Sequence, residues 1–343
     1  METILCTLYN SLYLDKGLVL YDSLCESSKY FKLYVLCMDD KCFEVLKDLN
    51  QDHLVPIKLE DFERGDDDLL EAKNNRSFGE YCWTCSSSLI LYILETYKEP
   101  ICTYIDADMY FYQDPEILID EMRAAGKKVM ITPHRFSPDN KFLERNGIYC
   151  VEFNTFTNEE DSLKVLKRWR SDCLDCCKVL LDGKHYGDQK YLDSWPEEYP
   201  DIVHVCENIG AGIAPWNIEW YKRSEKEGYF VYFDNETKPM PIVFYHFHNV
   251  TYIDRLTVKT GVYSGKYNVD YSLLDNLYSE YLIKVELKKK ILETRFGIDC
   301  LMKRNHTTMR EEKWKEWILQ FSLVRWLYSY LRPVREQYVI SLG

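Results

Sequence analysis

The 343-residue sequence predicts an α/β protein with a helical C-terminal extension, and three observations carry that expectation. Short apolar runs recur along the chain with helix-spaced stretches between them, the pattern of a sheet whose strands are joined by helices. Near residue 270 the texture changes to long, charged, helix-favouring sequence with few turn residues. Charge divides at about the same place. From Lys284 onward 13 Lys and Arg face 7 Asp and Glu, so the overall −13 splits into a basic tail of +6 and a body of −19.

Taken in order, Ile4 to Leu8 reads as a buried strand. Leu18, Leu20, Tyr21 and Leu24 follow at helical spacing, and Lys32 to Cys37 supplies the next strand. The stretch from Gly79 to Tyr97 keeps a helical register until Pro100 stops it. Further strands are expected at Ile101 to Ile105, Val129 to Thr132, Gly147 to Phe153, Ile202 to Cys206 and Pro241 to Tyr245. A boundary is expected near residue 265, with a sheet domain over 1–265 and the extension over 266–343.

Composition excludes several classes. With 46% hydrophobic and 29% charged residues the chain is an ordinary globular sequence rather than a disordered one. A net charge of −13 repels phosphate backbones, which argues against a nucleic-acid partner. The 13 cysteines are odd in number and lack framework spacing, so they read as reduced thiols. The start has no basic segment followed by a long apolar stretch, and no run is long enough to span a bilayer. The expectation is a protein made and kept in the cytoplasm. In the tail, Trp314, Trp317, Ile318, Phe321, Val324, Leu327 and Leu331 recur three or four apart among Lys and Arg. That stripe fits peripheral contact with the inner face of an anionic membrane, or packing on the body or a second subunit.

Chemistry concentrates in three places. Asp106-Ala107-Asp108 ends the apolar run Ile101 to Ile105, so two carboxylates emerge together at the carboxyl edge of a strand, where α/β proteins bind ligands. Paired carboxylates suit a hard divalent cation that keeps positions open for phosphate oxygens. His246 and His248 share one side of an extended segment, and imidazole beside two carboxylates favours Mn²⁺ over Mg²⁺. The polar stretch Gly187-Asp188-Gln189 precedes a short helix; spacing alone also allows Asp188 to be its N-cap.

Together, Thr7 and Asn10 at the first strand, Arg76 before Glu80-Tyr-Cys-Trp-Thr84, Asp106-Ala-Asp108, Gly147-Ile-Tyr-Cys-Val151, Gly187-Asp188-Gln189 and His246-Phe-His-Asn249 resemble the GT-A glycosyltransferases. The likeness, over about residues 1–255, is to bacterial sugar-nucleotide transferases related to family 8, glycogenin and the lipopolysaccharide galactosyltransferases. It implies a Rossmann-like mixed sheet flanked by helices. It also implies Mn²⁺ (or Mg²⁺) on Asp106, Asp108 and His246, with the donor diphosphate next to it. Thr7, Asn10, Arg76, Asp106 and Ala107 would then lie along a nucleotide-sugar donor, UDP-linked by the resemblance, and Asp188 and Gln189 at the reacting face. Gly210-Ala-Gly212-Ile-Ala-Pro215-Trp216-Asn217 would line the acceptor side. Two departures are visible: Cys150 stands where the family often has an amide, and the run from His246 lacks the usual Lys-Pro-Trp.

The expected activity is therefore metal-dependent transfer of a sugar to a glycan or lipid-linked acceptor, in the manner of envelope polysaccharide synthesis. Retention of configuration fits the neutral Gln189; an inverting enzyme would need a carboxylate base, for which Asp188 and Glu152 are candidates. Two other classes compete. A haloacid-dehalogenase-like phosphatase would use Asp106 and Asp108 with a later Gly-Asp pair, but needs that pair to follow a buried strand. A non-catalytic carbohydrate-binding protein would not need metal-type ligands at two sheet edges.

Overall fold

The computed structural model describes residues 2–180, 183–255, 257–264, 269–300 and 336–341. The first strand, β1 (Thr3–Tyr9), is buried along its whole length, and leads through a short turn into helix α1 (Leu14–Ser27). Strand β2 (Phe31–Cys37), helix α2 (Asp40–Leu49) and strand β3 (Leu54–Lys58) follow. Asp39 caps α2 by accepting from the Cys42 amide, and Asn50 ends it in the left-handed conformation. Helices α3 (Leu59–Glu63), α4 (Asp67–Asn75) and α5 (Phe78–Tyr92) come next. A capping box between Ser77 and Glu80 opens α5, which continues as a π-helical turn over Ile93–Tyr97. Strand β4 (Ile101–Ile105) falls where the sequence placed it.

Beyond β4 lie β5 (Met109–Phe111), α6 (Glu116–Ala124), β6 (Val129–Pro133), β7 (Tyr149–Thr157), α7 (Glu160–Asp175), α8 (Trp195–Glu198) and β8 (Val203–Val205). The main sheet has seven strands in the order β3-β2-β1-β4-β7-β6-β8. All neighbours are parallel except those of β7, which runs against both β4 and β6. This is the mixed, helix-flanked α/β sheet expected. Its two faces are separate cores. Leu5 and Tyr9 pack with Leu18 of α1 and Leu118 of α6, whereas Ile4, Cys6 and Leu8 pack with Leu89 of α5 and Trp169 of α7.

Short strands complete the chain: β9 (Tyr221–Arg223), β10 (Phe230–Phe233), β11 (Met240–Pro241), β12 (Phe244–His246), β13 (Thr251–Tyr252) and β14 (Thr257–Ser264). The single strand expected from Pro241 to Tyr245 is thus split between β11, which pairs with β10, and β12, which pairs with β5. Helix α9 (Tyr271–Phe296) is capped by Asp270 and ended by Gly297 at φ 63°. Although it lies beyond the expected boundary near 265, Leu274, Leu277 and Tyr278 share a core with Val19 of α1 and Tyr245 of β12. Lys284 and Lys288 also pair with Glu26 and Asp22 at 2.6 Å each.

The extension is not helical throughout, because β15 (Glu336–Ser341) pairs antiparallel with β14; its Tyr338, Val339 and Ile340 suit a pleated edge. The apolar stripe from Trp314 to Leu331, on which the membrane expectation rests, lies outside the described residues. No described helix is long and apolar enough to cross a membrane. None of the thirteen cysteines is in a disulfide.

Candidate active site

The five residues of β4 are all buried; the chain then turns at Asp106-Ala107-Asp108 and returns as β5. Strand β12 pairs antiparallel with β5 and sets His246 opposite Met109, while the Phe247 amide donates to the Asp108 carbonyl at 2.8 Å. That pairing brings together Asp108 and His246, 138 positions apart, so that the His246 Nε2 comes to 3.1 Å from the Asp108 carboxylate. Asp106 lies 3.7 Å from the same nitrogen. The three groups that the resemblance assigns to a metal therefore converge at the carboxyl end of β4.

The other ring nitrogen, Nδ1, is 2.6 Å from Glu152 Oε2. Glu152 and Cys150 stand two apart on β7 and hence on one face of it, and with His246 they form a buried Cys-Glu-His group. Glu152 is wholly buried, with His246 as its side-chain partner. A further cation, absent from the sequence expectation, completes the cluster: Lys16 near the start of α1 is 1% exposed, lies 3.8 Å from Asp108 and donates to the Val250 carbonyl at 3.2 Å.

These charges set one another's protonation. Burial would raise the Asp108 carboxyl, but His246 and Lys16 beside it hold it well below the usual range. Asp106 has the opposite balance: burial, with Asp108 and Glu152 adding to it, outweighs His246 and pushes its carboxyl up to about 6. Burial acts to lower the His246 imidazole, yet Asp108 and Glu152 raise it well above its ordinary value. Two carboxylates and an imidazole are a donor set that fits Mn²⁺.

The Gly187-Asp188-Gln189 stretch packs against helices α5 and α7, near enough to the cluster for Asp188 to feel the charge of Asp106. Gly187 adopts φ 58°, and a Cβ there would lie 3.3 Å from the Trp83 ring. Asp188 does not cap the following turn; it is 6% exposed, accepts from Ser86 Oγ at 2.7 Å, and its carbonyl accepts from Trp169 Nε1 at 2.9 Å. Burial, reinforced by the charge of Asp106, pushes its carboxyl up to about 7 against the Ser86 hydrogen bond. Gln189 takes the N-cap position of the turn over Lys190–Ser194 without a side-chain cap, and its amide donates to the Asn146 carbonyl at 2.9 Å. Asp188 thus follows a turn rather than a strand of the main sheet, so the Gly-Asp placement that a haloacid-dehalogenase-like phosphatase requires is not formed.

The remaining expected residues are distributed as follows. Thr7 is buried within β1 with a hydroxyl that has no hydrogen-bond partner among the described residues, and Asn10 caps the turn after β1 by accepting from the Leu12 amide. Ala107 is 8% exposed between the two aspartates. Arg76 donates to the Cys173, Leu174 and Asp175 carbonyls at the C-terminal end of α7, a helix-capping engagement. The Gly210 to Asn217 loop wraps behind His246. Trp216 meets the His246 ring edge-on at 5.4 Å, and the buried Asn217 binds the His134 and Gly212 carbonyls. Gly212, at φ 72°, leaves room for Glu152, since a Cβ there would lie 3.1 Å from Oε1.

A search of protein-family models returns no match. The Bacillus subtilis (strain 168) protein YfnD, itself uncharacterized, is 33% identical over 285 residues, covering 82% of this chain and 88% of YfnD. The chain belongs to the YfnD family. A second uncharacterized Bacillus subtilis (strain 168) protein, YfnF, is 27% identical over 305 residues, covering 87% of this chain and 97% of YfnF. Among solved structures, apo mouse xyloside xylosyltransferase 1 is similar at a TM-score of 0.47 and 12% identity, over 73% of this chain and 98% of its own. The galactosyltransferase LgtC, solved with donor and acceptor sugar analogues, has a TM-score of 0.47 at 13% identity, covering 72% of this chain and 87% of its own. The glycosyltransferase GlyE of Streptococcus pneumoniae TIGR4 has a TM-score of 0.47 at 14% identity, covering 84% of this chain and 63% of its own.

Proposed function

We propose that this protein is a metal-dependent glycosyltransferase that takes a sugar from a nucleotide-diphosphate donor, UDP-linked by the sequence resemblance, to a glycan or lipid-linked acceptor of the envelope type. The observation that carries the reading is the convergence of Asp106, Asp108 and His246 at the carboxyl end of β4. Two carboxylates and an imidazole leave coordination positions open for phosphate oxygens. A divalent ion held by these three would neutralise charge on the departing nucleoside diphosphate.

The chain's own residues do the rest. Lys16, 3.8 Å from Asp108, places a buried cation beside the carboxylates. Asn10 orders the turn after β1, and the Gly210 to Asn217 loop backs His246. At the reacting face, the amide of Gln189 cannot remove a proton, and Asp188 is enclosed with Ser86 and Trp169. This favours retention: the acceptor oxygen bonds to the anomeric carbon on the face from which the diphosphate leaves, and the acceptor proton passes to the departing phosphate oxygen.

The test is calorimetric binding of UDP, GDP and dTDP, with and without Mn²⁺, to the wild type and to Asp108→Ala. Mn²⁺-dependent binding of one diphosphate, lost in the variant, is expected; binding of none of them overturns the reading. The anomeric configuration of the product tests retention separately, since a β-linked product from an α-linked donor refutes it.

A further inference from the structure

We propose that Glu152 is the positioning residue that fixes the His246 ring for its ligand role, holding the proton on Nδ1 so that the Nε2 lone pair faces Asp106 and Asp108. The purpose given to it rests on the metal reading above. Each ring nitrogen of His246 faces a carboxylate, but unequally: Nδ1 is 2.6 Å from Glu152 and Nε2 is 3.1 Å from Asp108. When the ring is neutral one proton must be shared out, and the shorter contact claims it. A ligating histidine commonly donates its second N–H to a carboxylate, which sets tautomer and orientation together.

Glu152 has little else to do. It is 0% exposed, so it meets no solvent, and its second oxygen, Oε1, has no hydrogen-bond partner among the described residues. An orphaned buried carboxylate oxygen is costly, and a site kept only for packing would be better filled by an apolar side chain. Its surroundings instead preserve it. Gly212 at φ 72° passes where any Cβ would press on Oε1, and the edge-on Trp216 ring, 5.4 Å from His246, restrains a ring flip. Cys150, on the same face of β7, joins Glu152 and His246 in one buried group, so the histidine is backed by that strand.

The experiment compares the wild type with Glu152→Gln and Glu152→Leu. In metal-free protein at alkaline pH, ¹⁵N spectra of the His246 ring are expected to show Nδ1–H in the wild type. Both variants should shift to Nε2–H, because the carboxylates left beside the ring, Asp108 and Asp106, both face Nε2. The isosteric Gln keeps the test open if Leu does not fold. A titration with Mn²⁺ alone, followed by electron paramagnetic resonance, should show affinity weakened by about 10- to 100-fold. An unchanged tautomer with Mn²⁺ affinity within about twofold of wild type in the folded variants overturns the role of Glu152. Absence of Mn²⁺ binding by the wild type overturns the metal reading instead, and the tautomer readout still decides whether Glu152 holds the ring.

Discussion

Replacement of Asp188 by Asn isolates the cost of keeping a carboxylate in this site. Asp188 is 6% exposed, and burial with the nearby Asp106 charge pushes its carboxyl up to about 7 from an ordinary 3.8. Because the folded carboxyl binds its proton more tightly than the unfolded one, folding loses stability as pH rises from about 4 through about 7, and the loss then levels off. A gap of about 3 pH units at about 1.4 kcal/mol each corresponds to about 4 kcal/mol at pH 8. Asn cannot ionise, yet its Oδ1 can still accept from Ser86 Oγ. The stability of Asp188→Asn minus that of wild type should therefore climb by about 4 kcal/mol between pH 4 and pH 8. In melting temperature that is about 5 to 6 °C for a chain of this length, at about 2.1 cal/mol/K per residue. Taking the difference between the two proteins cancels titrations they share. Paired thermal and urea denaturation across that range makes the measurement, and a difference that stays flat with pH refutes the argument. Sugar transfer should fall in the same variant if Asp188 stands at the reacting face, so stability and activity would move in opposite directions.

Three other perturbations separate the roles of neighbouring residues. Lys16→Met keeps the aliphatic stem but leaves Asp108 and the Val250 carbonyl without their buried cation, so stability should fall by about 3 kcal/mol in urea denaturation. Gly210→Ala places a Cβ 2.3 Å from the Pro241 carbonyl oxygen, which is backbone and cannot swing aside; a loss of about 2 to 3 kcal/mol is expected by thermal denaturation. Arg76→Ala removes three carbonyl contacts at the end of α7, so it should lower the melting temperature while nucleotide binding, measured by calorimetry, changes little.

How much of this was legible in the sequence follows from range. Strand β4 was readable because an uninterrupted apolar run between Pro100 and Asp106 needs no partner to be recognised. Strand β3 was missed, since Pro56 and the flanking polar residues obscure its pattern and its pairing with β2 supplies the missing definition. Lys16 was invisible for a different reason. A lysine in the first turns of a helix ordinarily reads as solvated, and only the fold of the distant 246–250 segment over α1 buries it. Glu152 was noticed as a carboxylate but not in its place, because nothing local says that β7 turns that face toward His246.

The placing of His246 shows how a packed core specifies a reactive group. Along the segment from Phe244 to Phe247, side chains alternate between two environments. Phe244 packs against Phe111 and Phe153, at ring distances of 5.4 and 5.7 Å, on the side where His246 meets Glu152 and Asp108. Tyr245 and Phe247 face the other way, into α9, where Phe247 stacks on Tyr281 at 3.7 Å and Tyr245 meets Tyr278 at 5.7 Å. A one-residue slip of β12 against β5 would drive His246 into the Tyr278 and Tyr281 cluster and turn Tyr245 toward the carboxylates. Both halves of that exchange are unfavourable, since one buries an imidazole among aromatic rings and the other leaves Asp106, Asp108 and Glu152 without the imidazole between them, with Lys16 as the cation that remains beside Asp108. The aromatic residues that bury α9 therefore help to hold the histidine in register, and the helix beyond residue 265 packs behind the candidate site.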